Sequence, residues 1–526
     1  MRKRVLLLFN LILIGSLLFG KGTRESTIEP LRAPLDENNK ISIALPLSED
    51  PIFLNPIEAT DANSLLILEP LFEGLFSRDP KTGLPIKAIA KEYTISEDRL
   101  KWTFTLDSKA RFSNGEQITA QSFIDSWFWL LDQSNENSFY LLSLMEPILG
   151  VKEYQNKKVG RSSVGLKALN KETLEITLIN QAPYLKALLA TTPLAVIHSS
   201  FRDNKNSFKE ENIISSGPFV IKDFASDKVL LQKNKWYRSY DFVQSDFIEI
   251  LTADQVTVEK RYKEKKLHWS LAYIPLQILN SPLDLHIGPE YSTGFYYFSA
   301  KQGPYANERI REALSLFIPW DELRKESRQI FPTKNLIPGN SDAPTSLVDE
   351  NRAYKILAEE GFPYGAALPP LYMAVHRGSQ IFESAKLIAD LWSLKLGITV
   401  VLDVVPLSLY SRYPENTPYD FAFITWIGDI HDPFAFLTLF KGDSSYNLGN
   451  YFDEVYDNLL EKALTTNDDQ QRTLIINQAE QRLLNQKAIF PIYHGITTNI
   501  VATDLIDGWY DNILNVHPLQ YLTLKK

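Results

Sequence analysis

The chain of 526 residues contains no cysteine. This absence excludes disulfide bonds, thiolate metal sites and a lipid attached to an amino-terminal cysteine. Histidine is sparse, with seven scattered residues, and the G-x-S-x-G, H-E-x-x-H and G-x-G-x-x-G patterns of common enzymes are missing. We therefore predict no catalytic function, no metal and no cofactor. A hydrolase that uses two distant carboxylates stays open as an alternative.

Positive charge is outnumbered by negative charge. The chain has 55 lysines and arginines against 64 aspartates and glutamates, which gives a formal net charge of -9. This balance argues against nucleic acid and anionic membrane surfaces as partners. The hydrophobic content of 44% and the charged content of 23% are those of an ordinary globular protein. The length predicts about three domains of common size.

A mostly apolar stretch, interrupted by Asn10 and Ser16, lies at the amino terminus. Three basic residues, Arg2 to Arg4, precede an apolar segment from Val5 to Gly20, which is short of the roughly 20 residues of a membrane-spanning helix. The pattern predicts a secretory signal peptide over residues 1–22, with an uncleaved membrane anchor as the alternative. Lys21 stands where a lipoprotein would carry its acylated cysteine. An exported protein without an anchor is retained only behind an outer barrier, so we expect a periplasmic location.

The rest of the chain contains segments with helical periodicity and segments with strand periodicity. Residues 23–40 are polar and contain proline, which predicts a spacer. The segment LKWTFTL has the alternation of a strand, and the segment after residue 119 has the spacing of a helix. Further helices are predicted over 64–75 and 379–396, the second ended by Gly397. Together these segments predict a mixed α/β protein.

The segment YDFAFITWIGDIHDPFAFLTLF, residues 419–440, carries the strongest functional signal. A strand-like run ends at Trp426-Ile427-Gly428-Asp429, and a helix-like run begins after Pro433. An acidic loop at the carboxyl end of a buried strand is a common position for ligand contacts in α/β proteins. The alternative is that Gly428-Asp429 forms an ordinary turn, since aspartate favours turns.

Several segments in a fixed order resemble one known family. They are LNPIEATDANS, EPLFEGLFSRDPKTGLPIKAIAKEY, LKWTFTLDSKARFSNGEQITAQSFIDSW, SSGPFVIKDF, ANERIREALSLFI, YKILAEEGFP, LKLGITVVL and the segment around Asp429. Their order over some 450 residues resembles the bacterial extracytoplasmic oligopeptide-binding proteins, the solute receptors of peptide ABC transporters. Phe112 and Ser122 replace a Trp and an Asp of the family pattern.

The resemblance implies a two-lobed α/β binding protein of the flytrap type, with a hinge of crossing strands and an additional domain inserted in the first lobe. The first lobe is expected over residues 41–70, 195–290 and 500–526. The inserted domain is expected over 71–194 and the second lobe over 291–499. Such a receptor would act as a monomer, close on an oligopeptide and deliver it to a membrane permease. Receptors for a dipeptide, a sugar or a metal chelate are the alternatives within this fold.

The resemblance also implies a set of ligand-binding residues. Asp429 falls on the family position that meets the free amino end of a bound peptide. The strand residues Thr425, Trp426 and Ile427, with Gly428 beside them, are expected to contact the ligand backbone from one lobe. From the other lobe the expected contacts are Glu58, Ala59 and Thr60. Such backbone pairing gives affinity without a choice of ligand sequence.

Four other features near this segment or elsewhere have alternative interpretations. Trp426 either lines a side-chain pocket or belongs to the core. His431 lies between Asp429 and Asp432, but three potential ligands in one loop are weak evidence for a metal site. A ligand carboxylate has candidate partners in His376-Arg377 and Lys301, and a solvated surface charge is the alternative for each.

Overall fold

The computed structural model describes residues 30, 32–47, 52–57, 59, 61–132, 139–202, 209, 212–299, 302–326, 331–340, 347–376, 379–405, 419–444 and 447–525. The predicted signal peptide over 1–22 and the spacer up to residue 29 lie outside this range. Within it, no helix combines the length and apolar character needed to cross a bilayer.

The described strands and helices alternate along the chain, which confirms the mixed α/β class. The strands are β1 (Lys40–Leu45), β2 (Phe76–Arg78), β3 (Pro85–Lys87), β4 (Ala90–Ile95), β5 (Lys101–Leu106), β6 (Leu166–Asn170), β7 (Thr173–Thr177), β8 (Phe219–Ala225), β9 (Lys228–Lys233), β10 (Phe247–Thr252), β11 (Trp269–Ser270), β12 (Leu285–Phe298), β13 (Phe331–Pro332), β14 (Leu371–His376), β15 (Val400–Val405), β16 (Phe421–Ile427), β17 (Ile489–Val501), β18 (Ile506–Asp507) and β19 (Thr523–Leu524). The α-helices are α1 (Ala62–Leu68), α2 (Ala120–Asp132), α3 (Phe139–Met145), α4 (Val151–Gln155), α5 (Leu185–Leu188), α6 (Ser199–Arg202), α7 (Gln255–Lys263), α8 (Glu308–Ser315), α9 (Trp320–Glu326), α10 (Glu350–Glu359), α11 (Ser379–Leu396), α12 (Phe434–Leu437), α13 (Glu454–Thr465) and α14 (Asp469–Asn485).

One mixed sheet of eleven strands runs through both lobes. Its order is β15-β14-β16-β12-β17-β11-β1-β10-β9-β8, and β13 pairs with β17 beside this path. The two longest strands, β12 and β17, pair antiparallel from Leu285 opposite Ile500 to Tyr297 opposite Ile489. One end of this pair lies beside β11 and β1, while the other end of β12 pairs with β16. The crossing strands therefore join the two lobes.

A separate four-stranded sheet, in the order β4-β5-β7-β6, belongs to the additional domain. The alternation predicted for β5 is confirmed, because Trp102, Phe104 and Leu106 are buried between exposed neighbours. Helix α2 covers this sheet with its predicted apolar stripe, which is also buried and consists of Phe123, Trp127, Leu130 and Leu131. Hydrophobic periodicity alone was thus sufficient to find these elements.

The segment predicted as a helix over 64–75 forms a shorter one. Helix α1 ends at Leu68, since Pro70 cannot continue the hydrogen-bond ladder. The next residues instead cross to the additional domain, where a Cβ atom on Gly74 would lie 2.7 Å from the Leu189 carbonyl oxygen. A Cβ atom on Gly217 would likewise lie 2.5 Å from the carbonyl oxygen of Pro70. Both glycines permit close contacts between backbone segments, and the predicted helix was too long because Pro70 ends it first.

Candidate functional site

Strand β16 has one paired edge and one mostly open edge. Its first edge pairs with β12 along its whole length, from Phe421 to Ile427. On the second edge β14 pairs only with Phe421 and Ala422, and no other described strand continues this pairing. The Ile427 side chain is 50% exposed at the open end. Alternate residues beyond Ala422 therefore point N–H and C=O groups to an edge that can receive an extended chain.

The side chains at the end of β16 are held by the protein. The Thr425 hydroxyl lies 2.7 Å from the Tyr493 hydroxyl, and the Trp426 indole N–H donates to the Ala435 carbonyl at 2.8 Å. Gly428 donates its N–H to the Tyr291 carbonyl at 2.8 Å, and a Cβ atom there would lie 2.6 Å from the Tyr291 ring. The partly exposed Trp426 indole thus has a fixed orientation and offers only its ring surface to a ligand.

Asp429 carries a carboxylate that the protein does not satisfy. The residue is partly accessible, yet protein surrounds it, and no described residue donates a hydrogen bond to its carboxylate. Burial raises its pKa to about 6, against the attraction of Arg78. A turn aspartate behaves differently: Asp79 accepts hydrogen bonds from the N–H groups of Lys81 and Thr82. The Asp429 carboxylate therefore keeps hydrogen-bond capacity that the turn residue Asp79 has used.

The sequence reasoning missed Arg78, which contacts Asp429, and Glu69, which acts electrostatically on Arg78. Arg78, at the end of β2, donates from Nη2 to the Asp429 main-chain carbonyl at 2.7 Å. Glu69, directly after α1, also acts on the Arg78 guanidinium, and burial raises the pKa of Glu69 to about 7. Isolated charged residues carry no sequence signal, and 351 positions separate Arg78 from Asp429.

The predicted contacts from the first lobe are only partly within the described residues. Glu58 and Thr60 lie outside them. Ala59 is buried, and its N–H donates to the Asn55 carbonyl at 3.0 Å within a turn. Ligand contacts of Glu58, Ala59 and Thr60 therefore stay predictions.

The other candidate residues near Asp429 have partners of their own or lie outside the described residues. Asp432 accepts two hydrogen bonds from Arg472, at 3.0 and 3.1 Å, and one from the Phe434 N–H. The His431 ring packs against Tyr291 at 5.0 Å, and burial lowers its pKa. Across the described part of the chain, no three histidine or acidic side chains are grouped to hold a metal. His376 ends β14, while Arg377 and Lys301 lie outside the described residues.

Comparisons with known proteins point to one family. The family model described as bacterial extracellular solute-binding proteins, family 5, matches residues 85–447. The oligopeptide-binding protein OppA of Bacillus subtilis is 26% identical over 484 residues, covering 87% of this chain and 88% of that protein. The periplasmic oligopeptide-binding protein OppA of Escherichia coli is 25% identical, with 83% of each covered. The crystal structure of a periplasmic oligopeptide-binding protein, OppAIV, of Borrelia burgdorferi has a TM-score of 0.77 at 26% identity, covering 92% of this chain and all of that one.

Proposed function

Because this chain belongs to the family of bacterial extracellular solute-binding proteins, we propose that it is a receptor that binds oligopeptides between its two lobes and delivers them to the permease of an ABC transporter. Relatives over most of the chain are named for oligopeptide binding. The observation that carries the proposal is the unsatisfied Asp429 carboxylate at the end of a strand with an open edge.

The proposed binding mode uses the features that all peptides share. An extended peptide adds to the open edge of β16 beyond Ala422, where backbone hydrogen bonds supply affinity without reading side chains. Its amino-terminal ammonium pairs with Asp429, and burial strengthens this charge-assisted hydrogen bond. Contacts from both lobes favour the closed state, so ligand binding shifts the protein towards closure.

The lobe boundaries are part of the proposal. The first lobe comprises 41–70, 195–290 and 500–526, and the second lobe 291–499. The boundaries after residues 290 and 499 fall within the crossing strands β12 and β17, near a register shift between Pro289 and Thr293. The range 71–194 includes the whole of the separate four-stranded sheet. Both observations support a hinge at the crossing strands and an inserted domain.

We also propose that the protein works in the periplasm as an unlipidated monomer without catalytic activity. The family description is extracellular, and the chain has no cysteine to acylate. Removal of residues 1–22 on export is expected from the leader pattern. Intact-mass measurement of the exported protein tests this point, and retention of the leader would favour a membrane anchor.

The ligand itself provides the test of the function. Protein purified from its native compartment should release peptides of varied sequence on mild denaturation, detected by mass spectrometry. The same peptides, added back, should bind and be recovered with unchanged mass after prolonged incubation. Release of a sugar or a metal chelate, or cleavage of the added peptides, would contradict the proposal.

A further inference from the structure

The main chain at Asp429 is held by hydrogen bonds on both sides. The Asp429 loop, residues 428–433, lies between strand β16 and helix α12. Gly428 donates its N–H to the Tyr291 carbonyl at 2.8 Å, and the Asp429 carbonyl accepts from Nη2 of Arg78 at 2.7 Å. Because these bonds fix the main chain before and after the Asp429 Cα atom, they limit the directions that its carboxylate can take.

Arg78 projects from a tightly closed hairpin. It is the last residue of β2 and lies opposite Pro85 of β3. The turn that follows is closed by the Asp79 N–H, which donates to the Leu84 carbonyl at 2.9 Å. The Asp79 carboxylate accepts two more main-chain hydrogen bonds inside this turn. The β2–β3 hairpin, residues 76–87, therefore gives the Arg78 side chain a fixed base.

The tip of this hairpin packs against the carboxyl-terminal segment, residues 510–516. Asn512 donates from Nδ2 to the Pro80 carbonyl at 3.3 Å. Gly83 lies so close to Leu514 that an added Cβ atom would be 3.2 Å from its side chain. These contacts connect the proposed inserted domain to the proposed first lobe.

The carboxyl-terminal segment also contacts the proposed hinge. The Tyr291 N–H donates to the Ile513 carbonyl at 2.8 Å, and the Tyr291 carbonyl accepts from Gly428. Tyr291 lies where the pairing of the crossing strands β12 and β17 shifts register. Contacts therefore form a closed path from the Asp429 loop through the hairpin and the carboxyl-terminal segment to the hinge and back.

The Arg78 guanidinium binds the main chain at Asp429 and leaves the carboxylate open. Among the described residues, none donates a hydrogen bond to that carboxylate, although the guanidinium attracts it. A hydrogen-bonded ion pair with Arg78 would have used an oxygen that a ligand ammonium needs. The contact therefore orients the loop without occupying the group that binds the ligand.

We propose that Arg78 is a positioning residue of the amino-terminal subsite, which holds the Asp429 loop through its main chain so that the carboxylate stays preorganised and free for a ligand ammonium. Arg78 acts on the peptide only through Asp429, and it makes the inserted domain part of the binding site. This inference rests on the proposed function. A group that is already oriented loses less conformational freedom when the ligand binds, so the contact increases affinity.

Titration calorimetry of Arg78→Met with trialanine and N-acetyl-trialanine tests the inference. The substitution keeps an unbranched side chain but removes the donor to the Asp429 carbonyl. Trialanine affinity at pH 7.5 should fall by about tenfold, since the ligand must then order the carboxylate. Arg78→Lys, which keeps a charged donor, should recover most of the affinity. Neither substitution should change the weak binding of the acetylated peptide, which has no ammonium to place.

The pH dependence of binding gives a readout that a purely structural role of Arg78 would leave unchanged. The guanidinium lowers the pKa of Asp429 against the larger, opposite effect of burial. In Arg78→Met this pKa should therefore rise, and trialanine affinity should begin to fall at a higher pH than in the wild type. Arg78→Lys should restore the wild-type profile. The acetylated peptide corrects for titration of Glu69, His431 and Asp432, which are present in every variant.

Lys152 provides a matched control, because it also donates from the proposed inserted domain to a main-chain carbonyl of the proposed second lobe. It lies on α4, and its ammonium donates to the Asp443 carbonyl at 3.0 Å and to the Asp443 carboxylate at 2.8 Å. Lys152→Met removes these contacts outside the Asp429 loop. It should leave trialanine affinity and its pH dependence unchanged.

A second variant covers poor folding of Arg78→Met. Arg78→Gln is also uncharged and has a shorter side chain than arginine, so it should show the same loss of trialanine affinity and the same change in the pH profile.

The outcomes separate this inference from the proposed function. Unchanged or increased trialanine affinity in Arg78→Met and Arg78→Gln would overturn the inference alone, provided that the wild type still prefers trialanine to its acetylated form. An equal loss for both peptides, or the same loss in Lys152→Met, would show that the contact only packs the domains together, and would also overturn it. Equal affinity of the wild type for both peptides would overturn the amino-end assignment and this inference together.

Discussion

Two regions of this protein hold glutamates only four positions apart and treat them in opposite ways. Glu73 is buried at the junction with the additional domain, where its carboxylate accepts bonds from the Tyr237 hydroxyl at 2.6 Å and from the Arg238 guanidinium at 3.0 Å. Glu69 and Glu73 line one cavity. Unlike Glu73, Glu69 has a carboxylate to which no described residue donates a hydrogen bond. The junction satisfies its charges internally and so adds stability. At Asp429, burial disfavours the charged carboxylate, which costs stability in the ligand-free protein.

The largest effect on stability should come from removing the buried charge of Glu73. Glu73→Gln leaves the Arg238 charge largely buried without its partner, so the free energy of unfolding should fall by about 3–5 kcal/mol. Denaturant unfolding of the ligand-free protein measures this loss. The exposed Glu92→Gln should stay within about 0.5 kcal/mol of the wild type and serves as the matched control. If Glu73→Gln lowered the free energy of unfolding by no more than about 0.5 kcal/mol, like the surface substitution, our description of the junction would be contradicted.

Removing the charge of Asp429 should have the opposite effect on the free energy of unfolding. Since burial raises the pKa of Asp429 to about 6, the folded protein favours the neutral carboxyl. The stabilisation from the neutral form is fully present below the ordinary pKa near 4 and is lost as the pH rises through 6. Asp429→Asn should therefore increase the free energy of unfolding of the ligand-free protein by about 1–3 kcal/mol at pH 8. The increase should nearly vanish at pH 4.

Urea unfolding of the wild type and Asp429→Asn at both pH values tests this difference. If the carboxylate instead stabilised a turn, the substitution would lower stability at pH 8. That result would remove the distinction between the two regions.

Acidification should weaken ligand binding at Asp429. Asp429 must be ionised to pair with an ammonium, so its raised pKa of about 6 predicts a loss of about tenfold in trialanine affinity between pH 7.5 and pH 5. The acetylated peptide is the control, because any effect of the neighbouring His431 and Asp432 on the fold would change its affinity as well. An affinity for trialanine that does not change over this range would contradict the assignment.

Much of the fold followed from local pattern. The apolar stripe of α2 and the helix over 379–396, ended by Gly397 at a φ of +66°, were predictable because each depends on neighbours in the sequence. The helix predicted over 64–75 was too long because Pro70 ends it. The contact of Gly74 with Leu189, far along the chain, is one that periodicity cannot show.

The candidate site, like the fold, was only partly predictable from the sequence. Asp429 was proposed because a strand and an acidic loop are adjacent in the sequence, and because the segment resembles a known family. Arg78 was missed, since only the tertiary structure brings it to the Asp429 carbonyl. The predicted contacts of Glu58 and Thr60 lie outside the described residues. Charge balance in a cleft is a property of the tertiary structure and leaves no local pattern.

The central claim is that Asp429 binds the ammonium of a peptide ligand, and titration calorimetry of Asp429→Asn tests it most directly. The substitution removes the counter-charge of a partly desolvated cation, so trialanine affinity at pH 7.5 should fall by roughly 30-fold to several thousand-fold. The wild type and the variant should bind N-acetyl-trialanine equally weakly. If Asp429 were only a turn residue, asparagine would replace it well. Equal trialanine affinity in the wild type and Asp429→Asn would therefore contradict the claim.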